Sequence, residues 1–267
     1  MSHSSNALSK GIVVVATFFG MWFALSQINF RGIFKIDHAV NATEKGLGEI
    51  IWNEIERTET IIYDKDIVNT LDSLLIPLCK KNNIEKDSLK VYVIQKDEIN
   101  AFALPDNYLV VYSGLITDCK SEEALLGVLG HEIAHLEENH VMKKLSKEIG
   151  FSVLMSMTGS NAQVIKQAVQ TLSSSAYDRS LEREADMKSV NYMLVAEIDP
   201  KPFIDFMYDL SLKTDNYAIT EWVSSHPESE ERAQYMLNFI KNKKIKSKKI
   251  LSEEEWENFK QKVKDSE

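Results

Sequence analysis

The chain has 267 residues, 44% of them hydrophobic and 27% charged, with a net charge of −9. That is enough apolar material for one large domain or two small ones, and the acidic balance argues against a nucleic-acid binder. Lysine and arginine are scattered apart from the short run Lys241 to Lys249, a solvated face or linker, and the only cysteines, Cys79 and Cys119, fit neither a zinc knuckle nor a disulfide-stapled scaffold.

In chain order, the first feature is the stretch between Lys10 and Arg31, which contains no charged residue. Its length is close to the roughly 20 residues a helix needs to cross a bilayer. A cleaved signal peptide competes with the anchor, because Ala24-Leu25-Ser26 resembles a small-residue cleavage site. The anchor is favoured, since apolar character resumes from Ile28 to Phe34. Lys10 precedes the span and Arg31 and Lys35 follow it, so charge bias only weakly keeps the body on the cytoplasmic side. Leu47, Ile50, Ile51 and Ile55 predict an amphipathic helix from Glu44 to Thr58. A second, from Asp66 to Lys81, carries the stripe Ile67, Val68, Leu71, Leu74, Leu75 and Leu78, with Pro77 near its end. The period then shortens. Lys90 to Gln95 and Tyr108 to Tyr112 read as strands of one small sheet, separated by Asn100 to Leu104 and the turn-formers Pro105, Asp106 and Asn107.

The run Ser121 to Lys147 reads as the central helix. Ser121 is its N-cap, Glu122 and Glu123 suit the positive end of the dipole, and Lys143, Lys144 and Lys147 load the other end. Within it lies His131-Glu132-Ile133-Ala134-His135. Histidines four apart share one helix face, so both imidazoles can reach a single metal ion, and Glu132 can take the proton of a water that the metal polarises. Such a site wants a third protein ligand. His140 fails on spacing for the extended three-histidine motif, because Glu138 and Val141 stand where that motif has glycine and histidine. It is better read as a group behind the ligands. Glu182 and Asp186 are four apart at the start of a helical pattern running to Val195, so one carboxylate can bind the metal while the other orients an imidazole; Glu184 points elsewhere.

Between these two motifs, Ile149 to Met157 is apolar but too short to span a bilayer, and Val164 to Leu172 is helical; together they read as a cover over the cleft, a membrane-facing patch or ordinary core. Lys201 to Leu212, Ser229 to Ile240 and Ser252 to Val263 are further helices, the last a charged, solvated appendage.

His131-Glu132-x-x-His135 followed by Glu182-x-x-Ala185-Asp186 resembles the gluzincin metalloendopeptidases, the group of HtpX, the CAAX prenyl proteases and the BepA-type envelope peptidases. Asn100-Ala101-Phe102-Ala103-Leu104-Pro105 resembles the family's segment before the active-site helix, and Ser225-His226-Pro227 with Arg232 its downstream His-Pro motif. The resemblance implies one Zn2+ per chain held by His131, His135 and Glu182, with Glu132 as base, and Asp186 behind the ligands. It also implies that Asn100, Ala101, Phe102 and Ala103 border the cleft as an edge strand on which an extended polypeptide substrate pairs. His226 and Arg232 are candidates to stabilise the oxyanion; His226 can alternatively reach the metal itself and plug the site. Asp106 and Asn107 stand where relatives often carry glycine, which points to an altered turn. The multiple spans of the prenyl proteases and the helical repeats of BepA-type proteins are missing, which speaks against prenyl-protein processing and docking through a repeat module.

The expectation is a mainly helical α+β zincin-type metallopeptidase domain (36–245) with a small sheet, an anchor or signal segment before it (1–35) and a charged helix after it (246–267). Its function would be zinc-dependent endoproteolysis of membrane-associated or misfolded proteins in quality control. The partners are polypeptide substrates and, through the N-terminal helix, a membrane. A non-catalytic, zinc-stabilised, chaperone-like protein is the alternative, and Glu132 argues against it, because a structural site has no use for a carboxylate at an open position.

Overall fold

The computed structural model describes residues 36–150, 153–154, 162–212, 220–226 and 229–266. The chain divides into two compact units, Met1–Thr43 and Glu44–Glu267. The uncharged stretch from Lys10 to Arg31 lies outside the described residues, among which no helix is long and apolar enough to cross a membrane.

The larger unit opens on the part of α1 (Ile36–Thr58) from Glu44 onward, where Leu47, Ile51, Trp52 and Ile55 are buried. After the short β1 (Ile61–Ile62) comes α2 (Lys65–Lys81), started by Asp64, whose side chain accepts from the backbone N–H groups of Asp66 and Ile67. The expected stripe of α2 is buried at Ile67, Leu71, Leu74, Leu75 and Leu78. Strands β2 (Lys90–Ile94), β3 (Ala101–Leu104) and β4 (Tyr108–Tyr112) complete a four-stranded sheet in the order β1-β2-β4-β3. β2 and β4 run parallel, and β3 returns antiparallel to β4 as an edge.

The sheet is covered on both faces. Alternate side chains of β4 divide between two cores: Leu109 and Val111 face α2, whereas Tyr108, Val110 and Tyr112 join Trp52 and Phe102 on the other side. Trp52 stacks on Tyr92 at 3.9 Å between ring centroids. The turn between β3 and β4 is built without glycine. Within the three-residue loop Pro105-Asp106-Asn107, Asp106 (φ 62°) and Asn107 (φ 60°) both take the left-handed conformation, which these two residue types tolerate. Asp106 also meets the Lys90 ammonium at 2.5 Å.

After α3 (Ser113–Asp118), α4 (Glu122–Glu137) carries both histidines. It is shorter than the Ser121-to-Lys147 run suggests. Asn139 (φ 56°) takes the left-handed conformation that ends a helix, and α5 (His140–Leu145) restarts in a new direction and passes into a π-helical turn, Ser146–Gly150. Lys143 and Lys144 therefore do not cap α4. α6 (Ala162–Ser174), α7 (Arg179–Val195), α8 (Lys201–Leu212), α9 (Thr220–Ser225) and α10 (Ser229–Ile240) follow. α7 and α8 pack on α4 so closely at one point that a Cβ on Gly127 would lie 2.1 Å from Phe203. The last helix, α11 (Glu253–Asp265), is not a solvated appendage. Trp256, Phe259 and Val263 recur at helical spacing and are buried in the same core as α2, while its many charges occupy the opposite face.

Candidate metal centre

Each residue of the site comes from a helix whose start or packing fixes it. Ser121 caps α4 by accepting from Ala124 N–H, and the buried Glu122 carboxylate accepts from the N–H groups of Ile250 and Leu251, tying the helix start to the segment before α11. One turn in from the C-terminal end, His131 and His135 face the same direction with Nε2 atoms 3.0 Å apart. α7 crosses α4 and brings Glu182 to them: its carboxylate oxygens lie 3.6 Å from His131 Nε2 and 3.2 Å from His135 Nε2. His226, directly after α9, adds Nδ1 at 3.4 Å from His131 Nε2 and 3.0 Å from both Glu182 oxygens. One ligand atom from each of these four side chains lies within 4.8 Å of the other three, and all four are buried.

This donor set fits a divalent ion. The two imidazole nitrogens 3.0 Å apart meet both a carboxylate and a third imidazole at the same point, and such a convergence of donors can be shared by one cation. Tetrahedral bonds of about 2.0 Å to nitrogen and oxygen put neighbouring donors about 3.3 Å apart, the range these four side chains occupy. Electrostatics agree. Burial pushes the His135 pKa down to about 4, against the pull of Glu182, which keeps the ring in its neutral, metal-binding form. Burial works to raise Glu182, but His226, Arg232 and His131 outweigh it and hold this carboxyl well below the usual range.

Behind the ligands stands a second layer of contacts. Asp186 Oδ1 lies 3.0 Å from His131 Nδ1, and Arg232 donates to both oxygens of the same carboxylate, from Nε at 2.8 Å and from Nη2 at 2.7 Å. Against the cost of burial, this guanidinium keeps Asp186 ionised far below the ordinary carboxylate range. Arg232 Nη1 reaches Glu182 at 2.6 Å and donates to the His226 carbonyl at 3.1 Å. All three nitrogens are thus taken up by Asp186, Glu182 and the His226 carbonyl. His140 lies beside His135, with the two Nδ1 atoms 3.0 Å apart. Its other nitrogen lies 3.3 Å from Glu184. Sequence reasoning turned Glu184 away from the site; it does leave the Glu182 face of α7, yet α5 carries His140 round to meet it.

Glu132 is fully buried, with Oε2 accepting from the Ala103 N–H at 3.0 Å and Oε1 3.3 Å from His226 Nε2. Burial alone would raise its pKa; the imidazoles of His226, His135 and His131 reverse the sign and leave it lowered. The Ala103 contact shows which way the edge strand faces. Tyr112 N–H donates to the Asn100 carbonyl, so pairing with β4 alternates through Asn100, Phe102 and Leu104, and the backbone groups of Ala101 and Ala103 point to the unpaired side. On one face of the sheet α6 packs beside β3, with Ala168 and Leu172 in one core with Phe102, and Asn100 Nδ2 donates to the Ser173 carbonyl at 3.0 Å. Three aromatic neighbours escaped the sequence reading. Tyr177 stacks on His135, Trp222 lies 4.1 Å from His226 between centroids, and the Tyr235 hydroxyl bonds Asp186. Only Tyr235 carried a signal, three residues after Arg232 on the same face of α10.

The profile of peptidase family M48 matches residues 67–239, which takes in every residue of the centre. The chain belongs to peptidase family M48. Among its M48 relatives, a mitochondrial metalloendopeptidase OMA1 of Arabidopsis thaliana is 28% identical over 159 residues, 58% of this chain and 32% of the relative. A putative beta-barrel assembly-enhancing protease of Vibrio cholerae is 25% identical over 204 residues, 69% of this chain and 41% of the relative. Metalloprotease LoiP of Escherichia coli is 26% identical over 163 residues, 58% of this chain and 64% of the relative. The first two matches thus span about a third and two fifths of those relatives' own length. M48 membership and the buried cluster of His131, His135, Glu182 and His226 together fit the metal centre of a metalloprotease.

Proposed function

We propose that this M48 chain is an endopeptidase of protein quality control, cutting membrane-associated or misfolded polypeptides, with His131, His135 and Glu182 as zinc ligands and Glu132 as general base. The observation that carries the reading is the Ala103 N–H to Glu132 contact, which joins the free backbone edge of β3 to the proposed base. An extended substrate adding to that edge supplies a carbonyl for Ala103 N–H in place of Glu132. Pairing through backbone groups accepts any extended chain, which suits clients that have lost their fold. A relative named for beta-barrel assembly supports a role among nascent or misassembled proteins.

Zinc, when bound, supplies a Lewis acid that polarises the scissile carbonyl and acidifies the attacking water. Glu132, released from Ala103, takes the water's proton on Oε2 and returns it to the leaving amide nitrogen. Asp186, held by Arg232, fixes the His131 ring, and His140 backs His135. His226 acts as a reversible plug, because its Nδ1 stands at the fourth corner of the donor set, where water would have to enter. With His226 in that place the arrangement is a latent one. We further propose that the uncharged Lys10-to-Arg31 stretch tethers the enzyme to a membrane, with export after signal cleavage as the alternative.

The decisive experiment is Glu132→Gln. The variant should keep its zinc and fold while casein cleavage drops at least about a hundredfold; undiminished cleavage would sink the assignment of the base. His226→Ala should raise basal cleavage with zinc retained, whereas loss of turnover would instead make His226 a transition-state donor.

A further inference from the structure

Lys144 has no part in the steps above, yet it is only 4% exposed beside the metal cluster. A buried ammonium requires partners. Its Nζ donates to the Ser175 carbonyl at 2.5 Å and stands 3.8 Å from the centroid of the Tyr177 ring. The His135 imidazole stacks on that same ring, with centroids 4.0 Å apart and planes at 21°. Two groups this near one centroid cannot share a face, so Tyr177 is held between the ammonium and the imidazole. Its own backbone is fixed as well, the N–H donating to the Ser225 carbonyl at 3.3 Å.

The need for such a clamp follows from how the imidazole is otherwise held. His135 has Nε2 turned to the ligand cluster and Nδ1 3.0 Å from His140. Beyond these two edge contacts the ring can still turn a little about its Cβ–Cγ bond, because that terminal torsion is broad, and such a turn swings the nitrogen lone pair off the metal direction. Packing on the flat of the ring opposes that turn. We propose that Lys144 is a positioning residue of the zinc site: by clamping Tyr177 against His135 it fixes the orientation of a metal-binding ring. The attraction of a cation to the face of an aromatic ring supplies the clamping force, and the Ser175 carbonyl keeps the cation in place.

This rests on His135 being a ligand, so the test separates the two claims. Zinc dissociation constants of the full chain are measured by competition with a chromophoric chelator at pH 7.5, alongside the melting temperature of each metal-free variant. Lys144→Met should weaken zinc binding about tenfold with the metal-free fold intact. Lys144→Arg, which retains a cation able to stack and donate, should stay near wild type. Tyr177→Phe should also bind normally, because the ring makes the contact; Tyr177→Leu should match Lys144→Met. The double variant Lys144→Met/Tyr177→Leu should be no weaker than the worse single one, since both break one clamp. Wild-type affinity in Lys144→Met, or losses that multiply in the double variant, would overturn the proposal. If Lys144→Met does not fold, the Phe and Leu variants at Tyr177 decide it, and equal affinity in those two is a negative result. Wild-type affinity in His131→Ala and His135→Ala would instead remove the ligand assignment itself.

Discussion

At the scale of single residues, burial decides the protonation of His135. A free imidazole takes a proton near pH 6.5, but His135 resists until about pH 4. Since its folded pKa is depressed, the ring stays neutral over the whole range above about 4, and protons compete with zinc for it only below that. Zinc should therefore remain bound when the protein is taken from pH 7.5 to 6, and leave as the pH falls toward 4. A chelator-free dialysis series with zinc measured by atomic absorption checks this, and release complete at pH 6 would contradict it. The pairs His131/His135 and Glu182/Asp186 were legible because four-residue spacing puts each pair on one helix face, and Glu132 because it follows the first histidine; the division of roles between Glu182 and Asp186 came from the family resemblance. Lys144 and Tyr177 were not, because what matters in them is a stack assembled from two different segments, and no periodicity records that.

At the scale of elements, helix starts and stops were read well where a cap or stripe marks them. α8 and α10 agree with the sequence reading at both ends, and α2 and α7 agree within a residue. α4 was overextended, because the residues past Glu137 remain good helix formers and only the left-handed Asn139 marks the stop. That stop matters to the site: it turns α5 so that His140 faces back toward His135 and Lys144 faces inward. The closeness of α4 to α8 is the other element-scale feature, and it rests on Gly127. Gly127→Ala would improve intrinsic helix propensity by up to about 1 kcal/mol, but the added methyl runs into Phe203. Overpacking of this kind costs about 1–3 kcal/mol, so the variant should be less stable than wild type despite the better helix former. Equal or higher stability in urea would show that α8 can give way. The double variant Gly127→Ala/Phe203→Leu should recover part of the loss.

Over the whole molecule, the metal centre is supported by a core that the chain closes only at its end. α4 is packed by α7 and α8 on one side, and its first turn is held through Glu122 by the N–H groups of Ile250 and Leu251, immediately before α11. α11 in turn packs on α2 and α3 and buries Trp256, Phe259 and Val263. High charge disguised this helix in the sequence. Its three apolar residues at positions 256, 259 and 263 are the full signal, and the capping box of Ser252 with Glu255 marks its start. If the helix were an appendage, replacing Trp256 would change little. Because Trp256 is 4% exposed in the common core, Trp256→Ala should cost about 3–5 kcal/mol of stability, while a surface change such as Glu254→Ala stays within about 0.5 kcal/mol. The zinc-loaded variant should cleave normally at temperatures where it is folded and lose activity at the temperature where its far-ultraviolet circular dichroism collapses. An activity loss well below that temperature would mean that α11 acts on the centre through Glu122 and α4, and unchanged stability would return it to the status of an appendage.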